Sequence, residues 1–270
     1  MAPKIYVVSE PSFNVAEMNE FLRENRTSWR KTPRTTPAEQ IVEAAGRICY
    51  MSFGEKQSPR DTQEYVRRLI GQGHESVLEH VSWSFIMAGV SRAFTHQLVR
   101  HRIGFSFSQL SQQYHEETDA EFIEPQINLP PEARAAWDRA MATAKKAYGE
   151  ILDSLRFLES KATREENCLK EVRRAIRSTA RSVLPNATQT KIWVTANARA
   201  LRHFLSVRGG LVGDLEMRQV SAEILSIVKA GAPSLFFDFE IEMLHDQTPM
   251  VIHKPTSNEP AQVTAGDRQD

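Results

Sequence analysis

Val81-Ser82-Trp83-Ser84-Phe85-Ile86-Met87, then Ser91, then Arg100-His101-Arg102: the reading of this stretch decides the fold. Its first seven residues alternate and are rich in strand formers, which predicts a strand. Ser91 offers an N-cap to a following helix, whose apolar stripe takes in Phe94, Leu98 and His101. On that helix Gln97 and Arg100 share a face, with His101 one turn from Gln97. Between His80 and His115 there is no Asp or Glu, although 25% of the chain is charged. The window holds Arg92, Arg100 and Arg102 with His80, His96, His101 and His115. Adjacent cationic side chains repel one another unless an anion neutralises them, and guanidinium forks suit phosphate oxygens. A solvated basic face is the plain alternative. The apolar, small-residue surroundings favour a phosphate-binding centre.

Towards the N-terminus, Ile5 to Ser9 reads as a strand and residues 24–36 as a polar loop. Thr36-Pro37-Ala38-Glu39 starts a helix that runs to about Cys49, and residues 60–72 form another with Tyr65, Val66, Leu69 and Ile70 inward. Towards the C-terminus, Pro130-Pro131-Glu132 opens a helix over about 132–160, and others follow over 164–182, 195–206 and 212–230. Helices outnumber strands without regular β-α alternation. The expected class is therefore α+β, helix-rich with a small, mainly antiparallel sheet. Residues 1–254 are expected as one domain, and the Pro/Thr/Ala/Asp-rich 255–270 as a disordered tail.

The chain has 270 residues, 41% of them hydrophobic, with 34 basic and 34 acidic side chains. That composition fits a globular protein, and zero net charge argues against extended nucleic-acid binding. Cys49 and Cys168, without a CxxC, read as two buried thiols in a reducing compartment. Met-Ala-Pro-Lys-Ile-Tyr-Val-Val does not read as a signal peptide, and no apolar run reaches the ~18 residues of a membrane span. A cytoplasmic protein is expected.

Familiar motifs fail on inspection. Gly71-Gln72-Gly73 lacks a third glycine and follows a helix, so it is no dinucleotide fingerprint. His74, Glu75, Glu79 and His80 are metal-ligand types, but histidines six apart do not share a helical face, and no metal is expected. GxSxG and the P-loop are missing, and neither cysteine has a nucleophile's context. Two further cations remain. Arg181 closes a helix before Val183-Leu184-Pro185, and Arg208 precedes Gly209-Gly210, either aimed into a cleft or answering the helix dipole. Asn197, Arg199 and His203 are read onto one helix within two turns.

Together these residues resemble the flavin-dependent thymidylate synthase family. Its hallmark is Arg-His-Arg followed, after seven or eight residues, by Ser; here Arg100-His101-Arg102 and Ser111 enclose eight. Gly73-His74-Glu75-Ser76 with Leu78-Glu79-His80 is similar to its upstream segment, and Gln97-Leu98-Val99 to the approach to the hallmark. Arg181-Ser182-Val183-Leu184-Pro185, Thr195 to Arg199 with Phe204-Leu205, Val207-Arg208 and Glu216-Met217-Arg218 match later segments, so the likeness covers roughly residues 40–240.

The resemblance implies a homotetramer with shared active sites that methylates C5 of a uridine 5′-monophosphate. FAD, NADPH and 5,10-methylenetetrahydrofolate would take part, without a cysteine nucleophile and without nucleic-acid or membrane partners. It assigns FAD binding to Ser76, Arg100, His101, Arg102, Gln109, Asn197, Arg199 and His203. It assigns the nucleotide to Gln97, Arg100, Gln109, Leu110, Ser111, Gln112, Gln113, Arg181 and Arg208. Arg208 is also the expected catalytic group, stabilising charge on the pyrimidine. Flavin chemistry needs no side-chain nucleophile, because the cofactor carries the difficult step. Two departures stand out: Gln113 where the family usually has Arg, and the apolar Gly209-Gly210-Leu211-Val212 after Arg208. They leave dUMP and UMP both open as substrates, with dUMP the family default. The rivals are a nucleic-acid-binding module on residues 80–115 and, further off, a metal hydrolase on His74, Glu79 and His80.

Overall fold

Capping and periodicity shape most of the helices in the computed structural model, which describes residues 3–162 and 166–254. In chain order the elements are β1 (Lys4–Ser9), α1 (Val15–Glu24), α2 (Pro37–Ile48), α3 (Thr62–Gly71), β2 (Ser82–Ser91), α4 (Arg92–Leu98), β3 (Phe105–Gln109) and α5 (Pro131–Leu155). They continue with α6 (Phe157–Lys161), α7 (Glu166–Ala180), β4 (Gln189–Asn197), α8 (Ala198–Arg208), α9 (Leu215–Gly231), β5 (Phe239–Met243) and β6 (Pro249–His253). Thr36 and Glu39 form a reciprocal capping box at α2, satisfying two backbone donors that would otherwise be orphaned. Asp61 caps α3 and Ser91 caps α4 through the Phe94 amide. The long α5 starts at Pro131, which lacks only an N–H that no helix start uses.

One sheet has the strand order β1-β2-β4-β3, and β5 and β6 form an antiparallel hairpin in which Ile241 faces Val251. The Leu110 amide donates to Lys191 O at 3.0 Å and the Asn197 amide to Gly104 O at 3.1 Å, so β3 and β4 run oppositely. The chain is α+β, helix-rich with a small antiparallel sheet, as its sequence predicts.

By internal contacts the chain falls into two compact units, the described parts being residues 3–6, 85–102 and 106–194, and residues 7–84, 103–105 and 195–254. In the first unit Phe85, Met87, Val90, Phe94, Leu98, Ile192 and Val194 are buried. Tyr148 and Leu152 of α5 pack with Ile176 and Ala180 of α7, and the Tyr148 hydroxyl accepts the Glu117 amide at 2.9 Å. In the second unit α2, α3, α8 and α9 enclose residues such as Val42, Val66, Phe204, Met217 and Val220. Two buried ion pairs lie there. Arg47 Nε meets Glu43 at 2.7 Å, and Arg202 grips Asp238 through two nitrogens at 2.6 and 2.7 Å.

Several boundaries differ from the sequence reading. The strand expected over 81–87 runs on to Ser91: Ala88 and Val90 stay in the strand with Gly89 left-handed between them at φ +70°, which a glycine adopts without strain. The helix expected from residue 195 begins at Ala198; Thr195, Ala196 and Asn197 belong to β4, and Asn197 caps the helix by accepting from the Ala200 amide at 2.9 Å. β3, β4, β5, β6 and α1 are elements that the sequence reading does not contain. The alternation of β4 was hidden by its mixed polar faces, and the Ser/Gln-rich β3 carries no apolar run. Neither cysteine is buried as expected: Cys49 is exposed and Cys168 half-exposed. The disordered tail expected over 255–270 lies outside the described residues.

Candidate active site

Arg92, at the first turn of α4, stands in the first unit with Arg181, on the short 3-10 turn Arg181–Val183 after α7. The backbone fixes the approach. The Arg92 amide donates to Thr188 O at 3.0 Å and the Ala93 amide to Asn186 O at 2.9 Å, fastening α4 to the segment that follows Arg181. Arg92 is half-buried, and desolvation pushes its guanidinium below the usual arginine range; Glu117 opposes this and Arg181 adds to it. Arg92 thus faces a carboxylate that attracts it and, more weakly, a second guanidinium that repels it; a dianion such as a phosphate monoester would add to the neutralisation of both arginines. The sequence placed Arg92 in the acid-free window without a role; its position directly after the Ser91 cap was the available signal.

The remaining nucleotide candidates of this unit line up along β3 and the turn after it. Gln109 donates its amide to Thr95 Oγ1 at 3.0 Å and Thr190 Oγ1 at 3.4 Å, tying β3 to α4 and β4. Its nitrogen is thus engaged internally, and its carbonyl is the group it can offer a ligand. Ser111 accepts the Gln113 amide on its hydroxyl at 3.3 Å and opens a turn through its carbonyl to Tyr114 and His115. Leu110, Ser111 and Gln113 are half-buried, while Gln112 is 5% exposed with an Nε2 that finds no partner. An unsatisfied buried amide costs free energy, and a bound acceptor would relieve it.

The basic triplet departs from expectation in one respect. α4 stops at Leu98, so Arg100 and His101 follow it in a turn, their amides donating to Gln97 O at 3.2 Å and Leu98 O at 3.1 Å. Gln97 and His101 are half-buried, whereas Arg100 and Arg102 are exposed, not sunk in an apolar setting as the neighbouring sequence suggested. Neither arginine has a carboxylate partner among the described residues.

The second unit holds the other candidates. Gly104 is left-handed at φ +73°, and a Cβ there would lie 2.7 Å from both Ala200 Cβ and Asn197 Nδ2. The eight-residue spacing between Arg102 and Ser111 therefore contains a position that only glycine fills without strain. Ser76 is exposed on the 3-10 segment Glu75–His80, which packs on α8. Arg199 lies against it, bonded to Glu79 at 2.6 Å and Glu75 at 3.4 Å. The hydrogen bond to Glu79 raises its affinity for its proton further, against a small desolvation. The same pairing engages the two carboxylates that the metal-site reading would have used. His203 is exposed and Arg208, the last residue of α8, is half-buried. The Gly209-Gly210 pair has a packing reason: a Cβ on Gly209 would stand 2.5 Å from Val251 Cβ, and Gly209 O accepts the Val251 amide at 3.0 Å. Those glycines admit β6.

A helix-rich α+β architecture, with Arg92 and Arg181 in one unit and an exposed Arg-His-Arg turn after α4, suits the handling of anions. The family model described as thymidylate synthase complementing protein matches residues 33–234. The flavin-dependent thymidylate synthase of Corynebacterium efficiens is 44% identical over 216 residues, covering 79% of this chain and 84% of its own. That of Mycolicibacterium gilvum is 46% identical over 212 residues, covering 77% and 82%. The UMP/dUMP methylase PolB of Streptomyces cacaoi, solved with 5-Br dUMP, superposes with a TM-score of 0.58 over 87% of this chain and 94% of its own at 21% identity, a likeness of fold. The chain belongs to the thymidylate synthase complementing protein family, the flavin-dependent thymidylate synthases.

Proposed function

We propose that this chain catalyses the reductive methylation of C5 of a uridine 5′-monophosphate, with FAD as cofactor, 5,10-methylenetetrahydrofolate as carbon donor and NADPH as reductant. The observation that carries the reading is the pair Arg92 and Arg181, two neighbouring guanidiniums on stapled segments, suited to the 5′-phosphate. Family membership supports the rest, and so do the names of the relatives, which are flavin-dependent thymidylate synthases.

The residues present fit a flavin dinucleotide. Arg100 and Arg102 are exposed cations without carboxylate partners among the described residues, as a pyrophosphate requires. His101, Ser76, Asn197, Arg199, His203 and Gln109 would complete its binding. Bound and reduced, FAD supplies the hydride. The protein's part is binding and polarisation: Gln97, Leu110, Ser111, Gln112 and Gln113 would hold the nucleotide, and Arg208 would stabilise negative charge on the pyrimidine ring. Among the described residues no base hydrogen-bonds the Ser111 hydroxyl, which would serve as a hydrogen-bonding group. Gln113, with an amide able to donate and accept, suits a ribose hydroxyl, so UMP is a usable substrate beside dUMP. The active assembly is a homotetramer with shared sites, in the cytoplasm; no helix among the described residues is long and apolar enough to cross a membrane.

The test is direct. The purified protein should be yellow and should convert dUMP to dTMP when given NADPH and methylenetetrahydrofolate. A colourless protein that takes up no added FAD defeats the reading.

A further inference from the structure

Outside the residues assigned to flavin and nucleotide, the second unit contains a cavity of about 910 Å³ whose wall carries Arg26, Arg30, Lys56 and Arg60 against the single carboxylate of Glu55. None of the four cations has an ion-pair partner among the described residues. Some exposed cations elsewhere do pair, as in Lys170–Glu166 at 2.6 Å, Arg173–Glu159 at 2.8 Å and Arg199–Glu79 at 2.6 Å, whereas these four share one wall with a single carboxylate.

The wall is built rather than loose. Buried Gln57 clamps one segment to the other, donating to Arg30 O at 2.7 Å and accepting the Arg30 amide at 3.0 Å. The Gly54 amide donates to Ser28 O at 2.7 Å. From beneath, Arg47 donates to Pro59 O at 2.7 Å and Ser52 O at 3.3 Å. Phe53, 3% exposed and edge-on to Trp29 at 6.4 Å, anchors the floor. Three lining residues are left-handed: Arg26 at φ +51°, Met51 at +44° and Gly54 at +62°. Arg26 and Met51 end α1 and α2 in this way, the Thr27 amide returning to Leu22 O at 2.9 Å and the Ser52 amide to Arg47 O at 3.0 Å, which fixes where the two helices deliver the wall.

We propose that this cavity is an anion site, separate from the flavin and nucleotide residues, that takes a linear oligophosphate such as the triphosphate group of a nucleotide. The volume exceeds what one phosphate fills and falls within the range of small-ligand sites. Its cations outnumber its carboxylate by three, which favours a polyanion over a neutral or singly charged ligand. Three of the four are arginines, whose planar forks prefer phosphate oxygens over a point contact. The claim does not rest on the proposed methylation, because it uses none of the residues assigned there.

The experiment titrates inorganic tripolyphosphate into the full-length, FAD-saturated protein by calorimetry, with saturating dUMP present to occupy the nucleotide site. The expected result is one site per chain, weakened about a hundredfold in the Arg30→Ala/Arg60→Ala double variant, about tenfold for each guanidinium removed. Both side chains are exposed, so the variant should keep its melting temperature and flavin content. An unfolded double variant would shift the comparison to Lys56→Ala, with about a tenfold loss expected. Absence of binding, or equal binding by wild type and variant, overturns the site. Equally tight binding of tri-γ-glutamate overturns the choice of phosphate over carboxylate. If FAD or dUMP fails to bind, that counts against the methylase reading alone, and tripolyphosphate binding still reads out on the protein as purified.

Discussion

Arg102 and Arg199, both assigned to the flavin, sit in opposite electrostatic states. Arg102 is an exposed cation in a window free of acids, with no carboxylate partner among the described residues. Arg199 is already neutralised by Glu79 and Glu75, on either side of Ser76. A guanidinium with a free fork gains strongly from an arriving anion. One that holds two carboxylates has its fork largely engaged, and its contribution is to fix the segment carrying Ser76. The same residue type thus has an open fork in one region and an engaged one in the other.

The largest expected effect breaks the comparison at its charged end. Arg102→Ala should purify folded but nearly free of FAD and inactive, by flavin absorbance and a melting curve. Arg199→Ala should lose less flavin affinity, about three- to tenfold, since much of what it removes is an exposed ion pair. Equal flavin loss in the two variants would remove the distinction. If sites are shared between subunits, mixed Arg102→Ala and Arg199→Ala chains should recover part of the activity.

Next comes the phosphate seat. Arg181→Ala removes one of two guanidiniums that repel in a desolvated place, so kcat/KM for dUMP should fall about a hundredfold, with FAD content kept. An unchanged kcat/KM would place the phosphate elsewhere.

A buried pair sharpens the contrast with exposed Arg199. Burial pushes the Asp238 carboxyl up, but hydrogen bonds from Arg202 and His253 and their charges win, holding it at about 2 against an ordinary 3.8. A carboxyl depressed on folding stabilises the protein above its unfolded pKa. That contribution, about 2 kcal/mol, is lost as the pH falls from about 4 to 2. Melting temperatures over that range should drop more steeply in the wild type than in Asp238→Asn. Parallel curves would show that the pair is weak.

The smallest effect concerns sugar choice. Gln113→Arg replaces an amide by a donor-only cation and should shift competition between UMP and dUMP a few-fold towards dUMP. If wild type neither binds nor methylates UMP, Gln113 has no part in reading the sugar.

Much of this was legible in the chain itself. Thr36 and Glu39, Asp61, and Ser91 carry their caps locally, so the starts of α2, α3 and α4 follow from neighbouring residues alone. The Arg-His-Arg triplet, Ser111 and the ordered segments after them carried the family. β3 and β4 were not legible, because strands with mixed polar faces are defined by partners far along the chain. Asn197 likewise reads as helical until β4 ends on it.

The sequence by itself determined the starts of α2, α3 and α4, the acid-free window and the family, since each depends on residues close together or on a motif order. Only the tertiary structure decided which cations are free. Arg181 acts on Arg92 because backbone bonds between residues 92–93 and 186–188 bring distant segments together, and Arg199 meets Glu79 across 120 positions of chain. Charge state at a site is a property of through-space neighbours, and a linear order of residues does not contain it.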